Sequence, residues 1–410
     1  MLTRVRTVEL LTLVLVFIFF AAPSFADTRV APGCDAASVQ ATINNASTGD
    51  TVRVPAGTCT WLTVVAIPAG MDITLQGAGA GVTTVDGTST GTPLWVGVGN
   101  RRVTGFTFIC GYITIDGENW RIDHNSFTCN SFQAGVYVNG QRAQNSPKGL
   151  VDHNTFLNRR VIIYGYPGVS LSDLNRATQW FDPLALGTGE AVYIEDNSFT
   201  YTVFGNALDC QHGGRLVFRH NVVTDTYLEV HSVQGTSRAC RKWEIYENTL
   251  TQSSFDVYRP MFLRGGTGVV FNNTINGAWG EKYLVVDNVR DVTTYGPPFG
   301  KCDGTSPWDG NADTTGWPCL DQIGRGGDSS IFNGTPPPYP VQTSEPAYFW
   351  NNTINGLPAG VSVDNGSPIH IHPDRDYFVN KGSKPGYSPY QYPHPLQLLP
   401  APSNVRLLPP

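Results

Sequence analysis

Charged residues are scarce in this chain of 410 residues, since only 15% are Asp, Glu, Lys or Arg, and the formal net charge is −6. A charge of this size and sign excludes a protein that binds nucleic acid through a generally basic surface. An anionic substrate is still compatible, because a local Arg and His cluster can reverse the field inside a cleft. The plentiful Gly, Asn, Thr and aromatic residues favour strands and tight turns over helices.

Long apolar runs are missing from the sequence after its first residues. The chain opens with MLTRVRTVELLTLVLVFIFFAAPSFAD, which contains two arginines, an apolar run from about Leu10 to Phe20, and small residues ending at Ala26. This order predicts a secretory signal peptide over residues 1–26, because the run is shorter than the roughly 20 residues that span a bilayer. We therefore expect a secreted protein (extracellular, periplasmic or at the cell surface) with no membrane span in the mature chain.

A short motif occurs seven times between Trp120 and Ile354. Its copies are WRIDHNSF, GLVDHNTF, VYIEDNSF, LVFRHNVV, WEIYENTL, GVVFNNTI and AYFWNNTI, and the shared Asn residues are spaced by 29, 43, 24, 27, 25 and 79 residues. The two long spacings indicate an inserted loop and several coils with an insertion. A period near 25 predicts a solenoid, in which each coil holds three short strands that stack in parallel about 4.8 Å apart.

The recurring asparagines predict an internal ladder. Asn tolerates a left-handed bend, and its amide can donate to and accept from the next Asn in the stack, which satisfies buried polar groups. The residue two positions after each Asn is always apolar, and we expect it to point inward. The residue directly before each Asn is His, Asp, Glu or Asn, and this variety indicates an exposed turn position rather than a ligand set.

The CxxC pairs typical of zinc sites are absent, although the chain has eight cysteines. All eight follow the predicted signal peptide, and an even number in an exported chain indicates disulfides. Eight cysteines allow 105 connectivities. The nearest-neighbour pairs are Cys34–Cys59, Cys110–Cys129, Cys210–Cys240 and Cys302–Cys319. We expect the first and third pairs, whose separations are close to one repeat, to join adjacent coils.

The two ends of the chain also suit a solenoid. The segment DAASVQATINNA predicts a short amphipathic helix that covers the open end, and GDTVRVPAGTCTW follows as a turn and a first strand. With ITLQGAG, the repeated Asn turns and the closing RDYF and YQYPHP, residues Asp35 to Pro395 resemble secreted proteins of the pectate-lyase-like superfamily. The resemblance implies an all-β fold, a right-handed parallel β-helix of three sheets with an N-terminal capping helix. It implies little about activity, because this fold serves lyases, hydrolases, epimerases, adhesins and phage tailspikes.

The expected organisation after the signal peptide is an N-terminal cap and first coil over residues 27–60, a β-helix over 61–360, and a closing strand with a Pro-rich tail over 361–410. The segment 291–328 breaks the repeat and is rich in Gly, Pro and Trp. We expect it to be an inserted loop closed by a disulfide, because long structured loops on a rigid scaffold often wall a cleft.

This inserted loop carries two binding hypotheses. Trp308 and Trp317 are candidates for substrate binding by stacking on sugar faces, with a role in the core of the loop as the alternative. Asp309, Asn311 and Asp313 alternate as in a Ca²⁺ loop, but the Gly and the final Glu of an EF-hand are replaced by Thr and Leu. Simple oxygen ligation of Ca²⁺ stays open as an expectation, and the sequence names no metal site.

Offsets from the ladder asparagines predict columns of side chains in the middle coils. His212 and Arg264 lie nine residues before their ladder Asn, Arg238 lies ten before its own, and His231 and Asp256 both lie seventeen before theirs. No other stretch is as dense in titratable groups. The candidate catalytic residues are Asp209, His212, Glu229, His231, Arg238 and Arg264, and Arg241 is a further candidate for substrate binding.

One chemistry that needs such a cluster is β-elimination in a uronate polymer. It requires a cation that neutralises the carboxylate and a base that removes the adjacent proton. Arg264 or Arg238 suits either role, with His212 or His231 as the proton carrier. Charges that merely bond along and across the coils are the structural alternative, and each would contribute little to stability.

Hydrolysis requires two carboxylates instead, about 5 to 5.5 Å apart for retention and 6.5 to 9.5 Å for inversion. The available pair is Asp209 with Glu229 or Asp256. The leading hypothesis is a monomeric polysaccharide lyase acting on a uronate-containing glycan, with a glycoside hydrolase on the same fold as an alternative. The competing hypothesis is a non-catalytic, adhesive β-helix that binds glycans. Convergence of the arginines and histidines on one groove favours the enzyme, and scattering around the coil favours the binding protein.

Overall fold

The computed structural model describes residues 26–140, 146–165, 182–233, 238–253, 257–281, 283–291, 300–303, 305–306, 309, 318–326, 343–364 and 367–398. The predicted signal peptide lies outside these residues except for Ala26, and Asp256, Trp308 and Trp317 also lie outside them. Within the described residues, no helix has the length and apolar character needed to cross a membrane.

Three parallel sheets, named A, B and C, run along the chain. Sheet A contains, in spatial order, β1 (Thr28–Val30), β2 (Thr51–Arg53), β5 (Thr74–Gln76), β8 (Arg101–Thr104), β11 (Glu118–Asp123), β13 (Lys148–Asp152), β15 (Val192–Glu195), β18 (Arg215–Arg219), β21 (Lys242–Tyr246), β24 (Thr267–Phe271), β27 (Ala347–Trp350) and β31 (Tyr377–Val379). Its neighbours are separated by whole coils in sequence, which is the pairing of a solenoid.

Sheets B and C merge through two long strands that belong to both. Sheet B contains β3 (Gly57–Thr60), β6 (Thr83–Asp86), β9 (Thr107–Ile109), β12 (Ser126–Asn139), β14 (Thr155–Tyr164), β16 (Ser198–Thr200), β19 (Val222–Thr224), β22 (Thr249–Gln252), β25 (Thr274–Gly277), β28 (Thr353–Ile354) and the antiparallel β29 (Leu357–Pro358). Sheet C shares β12 and β14 and adds β4 (Val65–Ile67), β7 (Leu94–Val96), β10 (Ile113–Ile115), β17 (Asn206–Gln211), β20 (Tyr227–Val230), β23 (Met261–Leu263), β26 (Tyr283–Val286) and β30 (Gly360–Val363). The predicted fold class, a three-sheet parallel β-helix, is confirmed.

The N-terminal helix α1 (Ala36–Asn44) covers the first coil, as predicted. Asp35 is its N-cap and accepts a hydrogen bond from the Ser38 amide, which satisfies one of the free N–H groups at the helix start. Val39 and Ile43 are fully buried against the first strands. In the described ranges, short 3₁₀ helices span Val289–Asp291, Ser367–Ile369 and Pro395–Gln397.

The predicted asparagine ladder is present from Asn125 to Asn352. Each Nδ2 donates to the Oδ1 of the next Asn, at distances of 3.2, 3.0, 3.1, 3.1, 2.9 and 2.8 Å along the stack. The same Nδ2 groups also donate to main-chain carbonyls, as Asn221 does to the carbonyls of Ile194 and Arg219. The ladder therefore satisfies buried amide and peptide groups together.

The expectation that the ladder Asn itself takes the left-handed bend is wrong. The residue before it does, with φ between 53° and 58° at His124, His153, Asp196, His220, Glu247, Asn272 and Asn351. This position is exposed or half-buried in every copy, which confirms the predicted turn site. The reason is geometric: the bend turns the chain so that the next side chain enters the interior, where an amide is needed for the ladder.

The apolar residues that follow the ladder point inward, as predicted. Phe108, Phe127, Phe156 and Phe199 stack with ring centroids 5.3, 5.0 and 4.5 Å apart. The column continues through four buried aliphatic residues, Val223, Leu250, Ile275 and Ile354. Equivalent residues of successive coils thus form one continuous core.

All four predicted disulfides are confirmed, namely Cys34–Cys59, Cys110–Cys129, Cys210–Cys240 and Cys302–Cys319. The last pair and His370 are the only group of three or more His, Cys, Asp or Glu side chains in the described part of the chain that lie close enough together to hold a metal ion. Because the two sulfurs are bound to each other, this group has no thiolate ligand to offer.

The Pro-rich tail runs back across the outer face of sheet A. Tyr387 packs against Phe271 and Trp350 at its start. Further along, Arg219 and then Arg121 donate to four tail carbonyls. The tail therefore covers sheet A from β27 to β11, whereas sheet C keeps its outer face for other contacts.

Replacing one ladder residue, Asn221→Ala, should lower the free energy of unfolding by about 2 to 4 kcal/mol, because it leaves buried carbonyl and amide groups of three coils without partners. The measurement is chemical denaturation of both proteins. Asn100→Ala is the matched control, since Asn100 bonds to Asp72 of the preceding coil at an exposed position. Equal losses in the two variants would contradict a special role for the buried ladder.

Candidate active site

A cleft of about 390 Å³ opens on the outer face of sheet C. Side chains alternate along a strand, so Leu208 and Cys210 of β17 enter the core while Asp209 faces outward. Leu208 pairs with Leu228 of the next coil, which brings Asp209 beside Glu229. The polar residues that line the cleft include Arg160, Tyr164, Asn206, Asp209, Glu229 and His231.

His231 is held by a buried carboxylate. Its Nδ1 lies 2.5 Å from Oδ1 of Asp209, and the other Asp209 oxygen lies 2.9 Å from Nη1 of Arg160. A carboxylate that accepts from Nδ1–H selects the neutral tautomer with an unprotonated Nε2. His231 is thus oriented as a base, with Nε2 3.9 Å from Oε1 of Glu229.

Glu229 joins the second arginine to the same cluster. Its Oε1 accepts a hydrogen bond of 2.5 Å from Nη2 of Arg264, and its Oε2 accepts one of 2.5 Å from Nδ2 of Asn206. The hydroxyl of Tyr227 lies 3.3 Å from the same Oε2. Glu229 is therefore an acceptor for groups from three successive coils, and it holds Arg264 toward His231.

The electrostatics keep Asp209 ionised. Burial alone would raise the pKa of this carboxyl, but the hydrogen bond from His231 and the charge of Arg160 outweigh it, so the pKa lies below its ordinary value. Burial and the neighbouring Asp209 charge raise the pKa of Tyr164. The phenol of Tyr164 is therefore protonated at neutral pH and can donate a proton or a hydrogen bond.

His212 lies behind the cleft and is neutral at neutral pH. Its ring contacts that of Tyr164 with centroids 4.5 Å apart. Only 7% of the residue is exposed, and burial lowers its pKa to about 4. We therefore assign His212 to supporting Tyr164, because a buried neutral imidazole supplies no cation to a substrate.

The other two candidate arginines lie apart from the cleft. Arg238 is buried, and its guanidinium binds the carboxylate of Asp321. Arg241 is buried as well and donates to Glu345 at 2.6 Å. The offset of ten residues placed Arg238 in the right coil, but the side chains of both arginines extend to partners outside the cleft. We leave them out of the proposed site.

The Ca²⁺ hypothesis for the inserted loop finds no support at its described position. Both carboxylate oxygens of Asp309 accept hydrogen bonds from Arg290, at 2.7 and 2.6 Å, and the Leu320 amide donates to the same carboxylate. Asn311 and Asp313 lie outside the described residues. The carboxylate of Asp309 thus neutralises an arginine, which is a structural role.

The cleft residues that were not predicted from the sequence include Arg160, Tyr164, Asn206 and Tyr227. The first two follow Asn154 and precede an insertion, so counting back from the next ladder residue misses them. Counting forward would have found Tyr164, which follows Asn154 by ten residues, as His231 follows Asn221 by ten. Tyr227 and Asn206 pair across neighbouring strands of sheet C.

Comparisons with known proteins give little beyond the fold. No protein-family profile matches the chain, and no curated protein sequence matches it. An alginate lyase from Paenibacillus sp. str. FPU-7 is 12% identical with a TM-score of 0.48, over 86% of this chain and 99% of that one. A mutant of AlyGC, a PL6 family alginate lyase, is 13% identical with a TM-score of 0.38, over 89% of this chain and 52% of that one. At these identities neither structure bears on the activity of this chain.

The low pKa of His212 predicts a loss of stability in acid. As pH falls from the ordinary value of 6.5 toward 4, the unfolded chain gains a proton that folded His212 does not accept. The stabilisation is therefore present above pH 6.5 and is lost toward pH 4, by roughly 3 kcal/mol. His212→Asn should remove this part of the pH dependence of the unfolding free energy, since Asn tolerates the left-handed φ of 55°. His124→Asn, at an exposed left-handed position, should retain it; the same acid slope in all three proteins would contradict the assignment.

The buried position of Arg238 predicts a structural phenotype. Arg238→Met leaves the Asp321 carboxylate buried without its guanidinium, which should cost about 3 to 5 kcal/mol of unfolding free energy. Lys381→Met is the control, because Lys381 pairs with Asp374 at the surface, where the two side chains are 55% and 57% exposed, and exposed pairs contribute about 1 kcal/mol or less. Denaturation curves for both variants test this. A stability loss for Arg238→Met no larger than that of the control would contradict the structural role.

Proposed function

We propose that this protein is a polysaccharide lyase that cleaves a uronate-containing polymer by β-elimination in the cleft of sheet C. The observation that carries the proposal is the position of His231, oriented by Asp209 and flanked by Arg160 and Arg264. A base beside two cations is what elimination next to a carboxylate requires. Of the predicted arginines and histidines, Arg264 and His231 meet at this groove, whereas Arg238 lies apart and His212 lies behind the cleft. Arg160 joins the two that meet, and we take this partial convergence to favour an enzyme over an adhesive protein.

The arginines supply the first part of the chemistry. Arg160 and Arg264 bind the uronate carboxylate and neutralise its charge, which makes the proton on the adjacent C5 more acidic. A guanidinium suits this role because it is always charged and binds a carboxylate through two N–H groups. Both arginines are held by protein carboxylates, so they are positioned before the substrate arrives.

The proton transfers follow from the two remaining groups. Nε2 of His231 removes the C5 proton, and the electrons of the C5–H bond form the C4–C5 double bond as the C4–O4 bond breaks. Asp209 stabilises the imidazolium that results. The protonated hydroxyl of Tyr164 donates its proton to the leaving O4. The products are a new reducing end, where O4 becomes the hemiacetal hydroxyl on C1 of the preceding sugar, and an unsaturated uronate at the new non-reducing end.

The same residues are less suited to catalysing hydrolysis. A glycosidase needs one carboxyl that stays protonated at the working pH, and therefore has a raised pKa. Asp209 has a lowered pKa and is bound to a histidine and an arginine. Glu229 accepts from Arg264 and Asn206, so neither carboxylate is placed to donate a proton.

The remaining expectations complete the proposal. The β-helix agrees with the resemblance to the pectate-lyase-like superfamily, to which we assign the chain. Four disulfides are typical of proteins that fold outside the reducing cytosol, so we place the protein in the extracellular space or the periplasm. We expect it to act as a monomer, because the cleft is built within one chain.

Elimination is tested by the ultraviolet absorbance of the unsaturated product when the purified protein is mixed with alginate, pectate and glycosaminoglycans, with and without Ca²⁺. We expect His231→Ala to lose about 100-fold or more in kcat, the range of a positioned general base. Tyr164→Phe should lower kcat more than it raises KM. His153→Asn, at an exposed turn with a left-handed φ of 54°, is the control and should keep full activity.

Three results would count against the proposal. New reducing ends without absorbance would show hydrolysis and move the chemistry to Asp209 and Glu229. If neither assay detects activity on any polymer but the protein still binds glycans, the non-catalytic protein would be favoured. Full elimination activity in His231→Ala would place the reaction elsewhere on the chain.

A further inference from the structure

Phe262 lies one coil beyond His231 and Glu229. Two arginines, Arg259 and Arg264, lie near its ring. Phe262 pairs with Glu229 across sheet C, so its side chain faces outward next to the candidate active site. The Cζ of Arg259 lies 4.1 Å from the ring centroid, and the Cζ of Arg264 lies 5.0 Å from it. Arg259 and Arg264 flank the same strand, β23, so the ring lies near both a cation that reaches back to Glu229 in the cleft and a second cation of the same coil.

Arg259 is held loosely enough to accept another carboxylate. Its Nη1 donates to Asp364 at 2.8 Å, and its side chain is 18% exposed. The Asp364 side chain is 34% exposed, so water screens this pair far more than it screens the buried pairs of the core. Arg259 also lies over the ring of Tyr258 at 4.9 Å, which fixes the guanidinium while leaving part of it accessible.

From these contacts we infer that Arg259 and Phe262 form a second carboxylate-binding subsite for the uronate residue next to the one in the cleft. This inference rests on the proposed function and extends it: the polymer lies along the solenoid axis, and its neighbouring acidic sugar meets Arg259. The ligand class is a polymer with a carboxylate on consecutive residues, not a glycan with isolated acidic residues.

The spacing of the coils supports this direction. Strands of neighbouring coils are about 4.8 Å apart, which is close to the length of one pyranose residue in an extended chain. Successive sugars therefore meet successive coils in the same register. On the other side of the cleft, ring contacts continue from Tyr164 to Tyr137 at 5.2 Å and to Tyr112 at 6.3 Å. The outer face of sheet C thus offers aromatic rings on one side and a cation on the other.

The test separates this subsite from the catalytic chemistry. Binding of trimers and hexamers of galacturonate and mannuronate is measured by calorimetry in a His231→Asn background, which prevents turnover. Arg259→Gln should weaken hexamer binding about tenfold, the equivalent of 1.4 kcal/mol, because one charge-assisted hydrogen bond is lost. Binding of carboxyl-reduced hexamers should not change. In the active protein the same substitution should raise KM for hexamers and leave kcat nearly constant.

Two further variants separate binding from stability. Asp364→Asn also breaks the ion pair, but it removes a competing negative charge, so hexamer binding should be unchanged or tighter. Arg53→Gln changes an exposed arginine of sheet A and should have no effect. If Arg259→Gln and Asp364→Asn weaken binding equally, the pair has only a structural role and the inference is overturned.

The remaining outcomes distinguish the two proposals. Hexamer binding that depends on Arg259 without any elimination in the active protein would support the subsite and refute the lyase. Elimination together with unchanged hexamer binding in Arg259→Gln would support the lyase and refute the subsite. If no uronate oligomer binds at all, both the lyase proposal and the subsite inference are refuted.

Discussion

The register between coils is the constraint on which the rest of this structure depends, and the buried asparagine column fixes it. Main-chain pairing between parallel strands would tolerate a shift, because every residue offers the same donor and acceptor. A shift of one residue would turn every side chain to the opposite face. The ladder prevents this, since each Asn of the column from Asn125 to Asn352 bonds both to its successor and to main-chain carbonyls.

When the register is fixed, the sequence offset of a residue determines where it lies on a sheet. The residues of the candidate site come together in this way. Asp209, Glu229 and Arg264 come from three successive strands of sheet C, yet their side chains meet within hydrogen-bond distance of each other or of His231. No single loop could hold them so closely. The rigid coils hold the charges in place, so the substrate of the proposed reaction would meet a preorganised cluster.

The sequence was sufficient for every property that follows from the period. The core column, the ladder and the four disulfides are set by spacings alone, and so is the exposed position before each Asn. The spacing of residues in the sequence does not predict the direction in which a long side chain extends or the partner that it binds. Arg238 and Arg264 have nearly equal offsets, but Arg238 turns to Asp321, a residue 83 positions later, whereas Arg264 turns to Glu229. Arg160 and Tyr164 were missed because an insertion after β14 broke the count to the next ladder residue.

The charged groups of the cleft are difficult to explain by stability. Pairs such as Arg290 with Asp309 are fully enclosed and anchor an irregular segment to the coils. The free energy that their desolvation costs is therefore offset by fixing that segment. In the cleft, Asp209 is 2% exposed while Arg160 beside it is 22% exposed, and the groups face solvent together. Apolar residues on this sheet face would satisfy the fold at lower desolvation cost. A cluster that keeps a carboxylate ionised, a histidine oriented and two arginines at the mouth of one groove is better explained by a substrate that carries negative charge.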